Sequence, residues 1–440
     1  MKYLNRFQTY LDFMNFINSE DYEVAVPNVF YLADIDQILY SVENTPLYIE
    51  AIDNVFFNFS GGDLDYSIDL NVWESLIAGV DSPTFNSGTR VYVRASGLNI
   101  NSSSGIGTFS MSGRCNVGGN LLSMYYGDQF KNYSSITSSY QFASLFKNST
   151  ICDASRLIFP DKSSSYSYLY MFDGCASLTH PPLLLPSNPG ESTYAFMFRN
   201  CASLKSIPWM TRITNTTSHQ NMFQGCTSLK KISINLKAYR NSCYQMFYGC
   251  TSLVSVDGII DIADVECCKQ MFQGCTSLIN APALPATILT KYCYNDMFNG
   301  CTSLVNAPAL PATTLADYCY KGMFNGCTSL VNAPALPATT LVKSCYSTMF
   351  ANCISLVNAP ELPALTMISY CYELMFYGCT KLNYIKAMFL TTPSSSYNDR
   401  WVQNVAASGT FVKNSNATWD KTGSSGVPSG WTVVLEAPSI

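Results

Sequence analysis

Charge is scarce in this 440-residue chain: Asp, Glu, Lys and Arg together make up 12%, about half of the usual share. The surface must therefore be built largely from Ser, Thr, Asn, Tyr and backbone. The net charge is −5 and no cluster of Lys or Arg occurs, which argues against nucleic-acid binding, since that runs on phosphate neutralisation. Histidine is rarer still, with only His180 and His219, so general acid–base and imidazole–metal chemistry have little material. Long apolar runs are missing too. No stretch approaches the roughly 18 apolar residues of a membrane-crossing helix. Near the start, Asn5, Gln8, Asp12 and Asn15 interrupt every apolar run, so a secretory signal, which needs about 7–15 uninterrupted apolar residues, is not expected. Catalytic motifs are also lacking. Gly61-Gly62 and Gly105-Ile106-Gly107 read as turn glycines without a following helix, and Asp63 and Asp65 flank a strand. A glycan-cleaving enzyme needs two carboxylates across a cleft. The expectation is a non-enzymatic protein, with no catalytic, cofactor-binding or metal-binding residue assigned.

What is present is a hydrophobic content of 48%, which rules out a mostly disordered chain, and a repeat. Met-Phe recurs at Met171, Met197, Met222, Met246, Met271, Met297, Met323, Met349 and Met375, at steps of 24–26 residues, and Leu145-Phe146 is a worn first copy. The consensus is M-F-x-G-C-T-S-L-x-N-A-P-A-L-P-A-T-T-L-x-x-x-C-Y-x-x. Such a period predicts a solenoid whose repeats each touch only their neighbours. In the copy starting at Met297, Cys293, Met297 and Cys301 fall at i, i+4 and i+8, the spacing of one face of a helical turn or two. Gly300 then ends the turn. Its equivalents are Gly174, Asn200, Gly225, Gly249, Gly274, Gly326, Asn352 and Gly378, and a slot filled only by Gly or Asn predicts a positive φ. Leu304 to Leu310 reads as a short extended segment, interrupted at Pro308 because proline has no N–H for the ladder.

These residues, F-x-x-C-x-S-L followed by an apolar-proline segment and then C-Y-x-x-M-F, resemble the BspA-like leucine-rich repeats found in surface proteins of gut bacteria and in proteins of their phages. The resemblance covers roughly residues 120–390. It departs from the commonest form in having Met-Phe where Ala-Phe is usual. The resemblance implies a right-handed solenoid and adhesion or recognition, with no catalysis. The fold expected is thus an α+β repeat: a right-handed leucine-rich-repeat-type solenoid of about ten 24–26-residue repeats over 119–390. An N-terminal segment (1–45) and a small β-sandwich (46–118) precede it, and a β-rich capping module (391–440) follows.

Eighteen cysteines invite a disulfide framework, but sixteen, all but Cys115 and Cys152, fall just before or just after Met-Phe. Read as one helical face, the two positions of a repeat stand roughly 12 Å apart, beyond the roughly 7 Å that a disulfide spans. No C-x-x-C pair or Cys/His cluster suggests a metal. Reduced core thiols are expected, in keeping with assembly in a reducing compartment.

At the N-terminus, Leu4, Phe7, Leu11 and Met14 lie at helical spacing, and Val24–Tyr31 and Gln37–Tyr40 read as strands around Asp34-Ile35-Asp36. This segment resembles the N-terminal docking segment of virion-associated proteins from phages of gut bacteria; an ordinary capping helix and hairpin is the other reading. Residues 46–115 show about seven short segments suited to a β-sandwich, of which Arg90–Ala95 is a half-buried strand, and Ser102-Ser103-Ser104-Gly105 marks a turn. The tail carries Trp401, Trp419 and Trp431, as an end cap or as a separate binding site.

Contact positions on the extended segment lie two residues after the repeat leucine: His180, Ser206, Lys231, Ser255, Asn280, Asn306, Asn332, Asn358 and Tyr384. One residue after that leucine the series is Thr179, Lys205, Lys230, Val254, Ile279, Val305, Val331, Val357 and Asn383. The first series is either a ligand-binding surface suited to glycans or an amide ladder that satisfies the backbone. Likewise Tyr294, Tyr320, Tyr346 and Tyr372 are either packing residues or sugar-stacking platforms. Copies 297–322 and 323–348 are identical over their first nineteen residues, and a rod of such copies is a spacer as readily as a binder. Three functions follow. One is a virion component that docks on other virion proteins through 1–45, assembles as a homo-oligomer and presents the solenoid to a host-surface glycan or protein. The others are a bacterial cell-surface adhesin and a protein-interaction scaffold.

Overall fold

The computed structural model describes residues 42–96, 105–186, 190–208, 218–262 and 264–436. The N-terminal helix and strands expected before residue 42, and the turn at Ser102–Ser104, lie outside the described residues. The chain forms two compact units, residues 1–233 and 234–440, and its repeats make a β-solenoid of about eight turns with few helices.

The first unit opens with β1 (Tyr48–Ala51), β2 (Phe57–Phe59), β3 (Leu64–Ser67), β4 (Glu74–Leu76), β5 (Arg90–Ala95), β6 (Phe109–Met111) and β7 (Cys115–Asn120). Helix α1 (Ser123–Tyr126), a 3₁₀ turn (Gly127–Asn132) and β8 (Ile151–Ile158) follow. Six strands form one sheet in the order β4-β3-β5-β1-β7-β8, and β2 pairs with β6 in a second. Alternation decides the facing: in β5, Val91 and Val93 are buried while Arg90, Tyr92 and Arg94 are half-buried. Strands β1, β3 and β5 pair antiparallel, whereas β7 pairs parallel with β8. Parallel pairing is the solenoid's own pattern, so the N-terminal sheet runs without a break into the repeats, and Phe109 stacks on Phe146 at 5.7 Å.

The helical turn expected around Met-Phe is corrected: those residues are a run of tight turns, and the α+β expectation gives way to a β-solenoid. Around Met297, Asn295, Met297, Asn299 and Cys301 each donate to the carbonyl three residues back, within their own turn. Tyr294, Asp296, Phe298 and Gly300 donate instead to Cys319, Lys321, Met323 and Asn325 of the next repeat, at 2.8–3.0 Å. Every fourth residue takes a positive φ, +58° at Tyr292, +53° at Asp296 and +75° at Gly300. A period of four places Cys293, Met297 and Cys301 on one inward face, as a helix would, but the hydrogen bonds run between turns. Left-handed backbone costs a non-glycine residue about 1–2 kcal/mol, and here it aims those amides at the neighbouring turn. The nine Gly and Asn positions singled out above all have positive φ.

Inward residues stack in columns. Within the first unit Phe146, Phe172, Phe198 and Phe223 follow one another at 5.4–5.5 Å. Within the second, Phe247, Phe272, Phe298, Phe324, Phe350 and Phe376 do so at 5.6–5.8 Å. The C-T-S-L motif has its physical reason here. Cys301 Sγ donates to the Phe272 carbonyl at 3.2 Å, Thr302 Oγ1 to Thr276 O at 3.2 Å and the Ser303 amide to Thr276 O at 3.1 Å, while Leu304 is fully buried. All eighteen cysteines are free thiols, and only Cys152 is less than buried. Cys243 and Cys268 lie three residues before their methionines, at the position that tyrosine fills in later repeats.

Proline decides which turns carry a real strand. β8, β9 (Lys231–Ala238), β10 (Ser255–Ile262) and β11 (Tyr384–Ala387) contain none. The A-P-A-L-P turns are reduced to single parallel bridges, Asn306↔Asn332 and Asn332↔Asn358, as the missing proline N–H requires. The second unit closes with α2 (Ser395–Asn398), β12 (Thr410–Asn414) and β13 (Thr432–Glu436), the last two extending β11 as a parallel sheet. Trp401, Trp419 and Trp431 are buried, and their indole N–H groups donate to the carbonyls of Gly426, Phe389 and Ala406. They are core residues of the C-terminal segment.

His219 occupies the tyrosine position of its turn, 5.3 Å from the Tyr194 ring, with Nδ1 2.7 Å from Ser218 Oγ. Burial pushes its pKa down to about 3, against about 6.5 in an unfolded chain. Below 6.5 the unfolded state therefore binds the proton that the folded state refuses. The stability is complete above 6.5 and is lost as pH falls towards 3, about 2 kcal/mol of it by pH 5. Urea unfolding at pH 7 and pH 5 should show that loss in the native chain and a flatter profile in His219→Phe; equal pH dependence in both would refute the assignment.

Candidate recognition face

The second unit gathers the contact positions into two adjacent rows. Parallel bridges join Ser255 to Asn280, Asn306 to Asn332, Asn332 to Asn358 and Asn358 to Tyr384, which sets neighbouring residues about 4.8 Å apart. Asn280, Asn306, Asn332 and Asn358 are exposed, whereas Ser255 is buried and Tyr384 half-buried. Among the described residues, none of these four asparagines makes a side-chain hydrogen bond within the protein. Beside them, Val254, Ile279, Val305 and Val331 are about 40% exposed. The face is thus a stripe of free amides next to a stripe of aliphatic groups, and it carries no charge from Val305 to Ala316 or from Val331 to Val342. Its amides can donate to and accept from hydroxyl-rich ligands without the desolvation of an ion.

The first unit presents a different face. His180 is half-buried, bridges to Asp153 and sits 2.9 Å from Thr179 Oγ1 and 3.8 Å from Asp153 Oδ2. Ser206 and Lys231 are half-buried, while Lys205 and Lys230 are exposed. These residues share the register position of the asparagine row but not its chemistry.

The tyrosine row is packing. Tyr294, Tyr320, Tyr346 and Tyr372 are 1–2% exposed and stack at 5.9–6.1 Å. A second row, two residues earlier, was not singled out from the sequence: Tyr292 and Tyr318 stack at 4.7 Å on the turn edge. Lys269 and Lys291 each lie 5.3 Å from the Tyr292 ring, and Lys343 lies 5.7 Å from that of Tyr318. The recurrence of Tyr at 166, 292, 318 and 370 was the available signal. The stacked pair Tyr292–Tyr318 stiffens the turn and holds the lysines beside it.

Among the described residues no group of three His, Cys, Asp or Glu is placed to hold a metal ion, and no helix is long and apolar enough to cross a membrane. A cleft of about 190 Å³ in the first unit, lined by Asn44, Phe130, Tyr133 and Phe159 among others, is below the roughly 300 Å³ of a small-molecule site.

A family model described as the BspA type leucine rich repeat region matches in six copies, with residues 143–279, 191–331 and 295–398 covered. Together these span more than half of the chain. No curated protein and no solved structure matches.

Proposed function

The chain belongs to the BspA-type leucine-rich repeat family, and from that premise we propose that it is a non-enzymatic attachment protein of a phage particle. Repeats of this type point to a surface-exposed, adhesin-like protein. In the finer reading, residues 1–45 dock on other virion proteins, several copies assemble together, and a right-handed solenoid of about ten repeats faces a host-surface glycan or protein. The observation that carries the reading is the uncharged double row of exposed asparagine and valine on successive turns. One amide–hydroxyl hydrogen bond contributes only about 1 kcal/mol, so identical rows act by multiplicity, which raises avidity by about 10²–10⁴ where several sites engage together.

The full chain, labelled and titrated on host cells and on a glycan array, is expected to bind, and the variant N306A/N332A/N358A to lose about tenfold or more. Exposed residues of this kind leave the fold unchanged by circular dichroism. Undiminished binding by the variant would sink the recognition face. Peptide mass spectrometry on density-purified particles and on membrane fractions tests the rest: peptides confined to the membrane fraction would replace the virion reading with a bacterial adhesin.

A further inference from the structure

The first unit holds a surface that the repeat face does not explain. The β3–β4 hairpin exposes Ile68 (62%), Leu70 (42%) and Val72 (64%) at its tip, and Ile77 and Val80 just after β4. Single exposed aliphatics are ordinary, but three stand together at the tip and two more follow β4 within residues 68–80, a concentration that points to an interaction surface. The tip is held in place. Asp69 Oδ1 accepts from the Asn71 and Val72 amides at 2.8 and 2.9 Å, and Ser67 Oγ accepts from the Leu70 amide at 2.9 Å. Leu70 is kept at φ +65°, a strained state that surrounding structure must enforce. Behind the tip, Trp73 lies under the Arg94 guanidinium at 3.9 Å.

Two further facts select the occupant. Among the described residues β4 is the edge strand of its sheet, and an edge strand can be paired by another strand. Residues 54–89 contain Asp63, Asp65, Asp69, Glu74 and Asp81 and no Lys or Arg. Arg94 is paired with Asp65 and Asp128, whereas Asp63, Asp69, Glu74 and Asp81 make no ion pair among the described residues, so the aliphatic surface keeps an acidic rim. Such a rim repels a second copy of itself and gains nothing from a phospholipid surface, whose field is negative. We propose that the β3–β4 hairpin is a docking surface for an extended protein segment that carries Lys or Arg beside aliphatic residues. The segment adds to β4 as a further strand, covering Ile68, Val72 and Ile77 while its cations face the carboxylates.

The test selects random displayed dodecapeptides on the immobilised full chain and titrates synthetic copies of those enriched. Enriched peptides are expected to alternate Val, Ile or Leu with Lys or Arg and to weaken as salt rises. They should lose about tenfold or more in affinity for Ile68→Ser/Val72→Ser and bind less well to Asp81→Lys. Circular dichroism and retained host-cell binding keep a failure of this surface distinct from a failure of the repeat face. The proposal is overturned if the enriched peptides lack cations or if they bind the serine variant equally well. It is equally overturned if nothing is enriched while the wild-type chain self-associates through the patch or sediments with phosphatidylcholine vesicles.

Discussion

Phe298→Ala is expected to lower the unfolding free energy by about 3–5 kcal/mol, the range for truncating a buried aromatic side chain. Phe298 is fully buried and stands 5.7 Å from both Phe272 and Phe324. Removing the ring takes contacts from two turns at once, and the backbone cannot close the gap. Each amide on either side of it is already bonded to a neighbouring turn or within its own. The column beside it supplies the control. The Tyr294 hydroxyl is buried with no hydrogen-bond partner among the described residues, and an unsatisfied buried polar group costs about 1–3 kcal/mol. Tyr294→Phe should therefore be neutral or stabilising, although it too alters a stacked core ring. Urea unfolding followed by circular dichroism measures both. A loss below about 1 kcal/mol for Phe298→Ala would mean that the columns are not the main source of stability.

Much of this architecture was legible in the sequence, for identifiable reasons. A period of 24–26 residues with an invariant Leu and a Gly or Asn four residues before it leaves few folds, and the positive φ at Gly300 and Asn352 follows from residue type alone. The loss of strand at Pro308 follows from a missing N–H. The turn run around Met297 was not legible. Its other left-handed positions hold Tyr292 and Asp296, and the equivalent slots of other repeats hold Glu266, Leu374 and Phe196 beside Asn221 and Gly322, a mixture too varied to mark a left-handed slot. Spacing at i, i+4, i+8 fits a helix equally well. What decides between them is a hydrogen bond from Asp296 to Lys321, which no local pattern records. The same gap explains the tyrosines. Tyr292 and Tyr294 are two residues apart, one at the edge and one in the core, and only the turn geometry separates them. The asparagine row was legible as outward-facing because it follows the buried leucine at a fixed interval. That its amides are free of protein partners needed coordinates.

Raising the pH from 8 to 10 is expected to unfold the second unit cooperatively. Burial pushes the thiols of Cys293, Cys345 and Cys379 up to about 12 and that of Cys371 to about 11, and raises Cys275, Cys301, Cys319, Cys327 and Cys353 well above the ordinary value. In an unfolded chain a thiol ionises near 8.5. The folded pKa is the higher one, so the stability these groups confer is complete below about 8.5 and is lost as pH rises towards 12. Each thiol that ionises only on unfolding removes about 1.4 kcal/mol per pH unit, and nine together remove about 13 kcal/mol by pH 9.5. That is comparable to the whole stability of a typical domain, about 5–15 kcal/mol. Tyr320, Tyr346 and Tyr372, also raised by burial, add to the loss above pH 10. Circular dichroism from pH 7 to 10.5, with a thiol reagent added at each step, reads both sides of the linkage. Cys152, the one thiol less than buried, should react first and slowly at pH 7.5, because partial burial raises its pKa as well and the thiolate is the reactive form; the remaining thiols should appear together with the loss of structure. The variant C301A/C327A/C353A should be less stable at pH 7, because three filled core positions are emptied, yet should show a shallower decline with pH because three of the nine titrating groups are gone. A native spectrum with unreactive thiols at pH 10.5, or an equally steep decline in the variant, would show that burial of these thiols is not coupled to folding in this way.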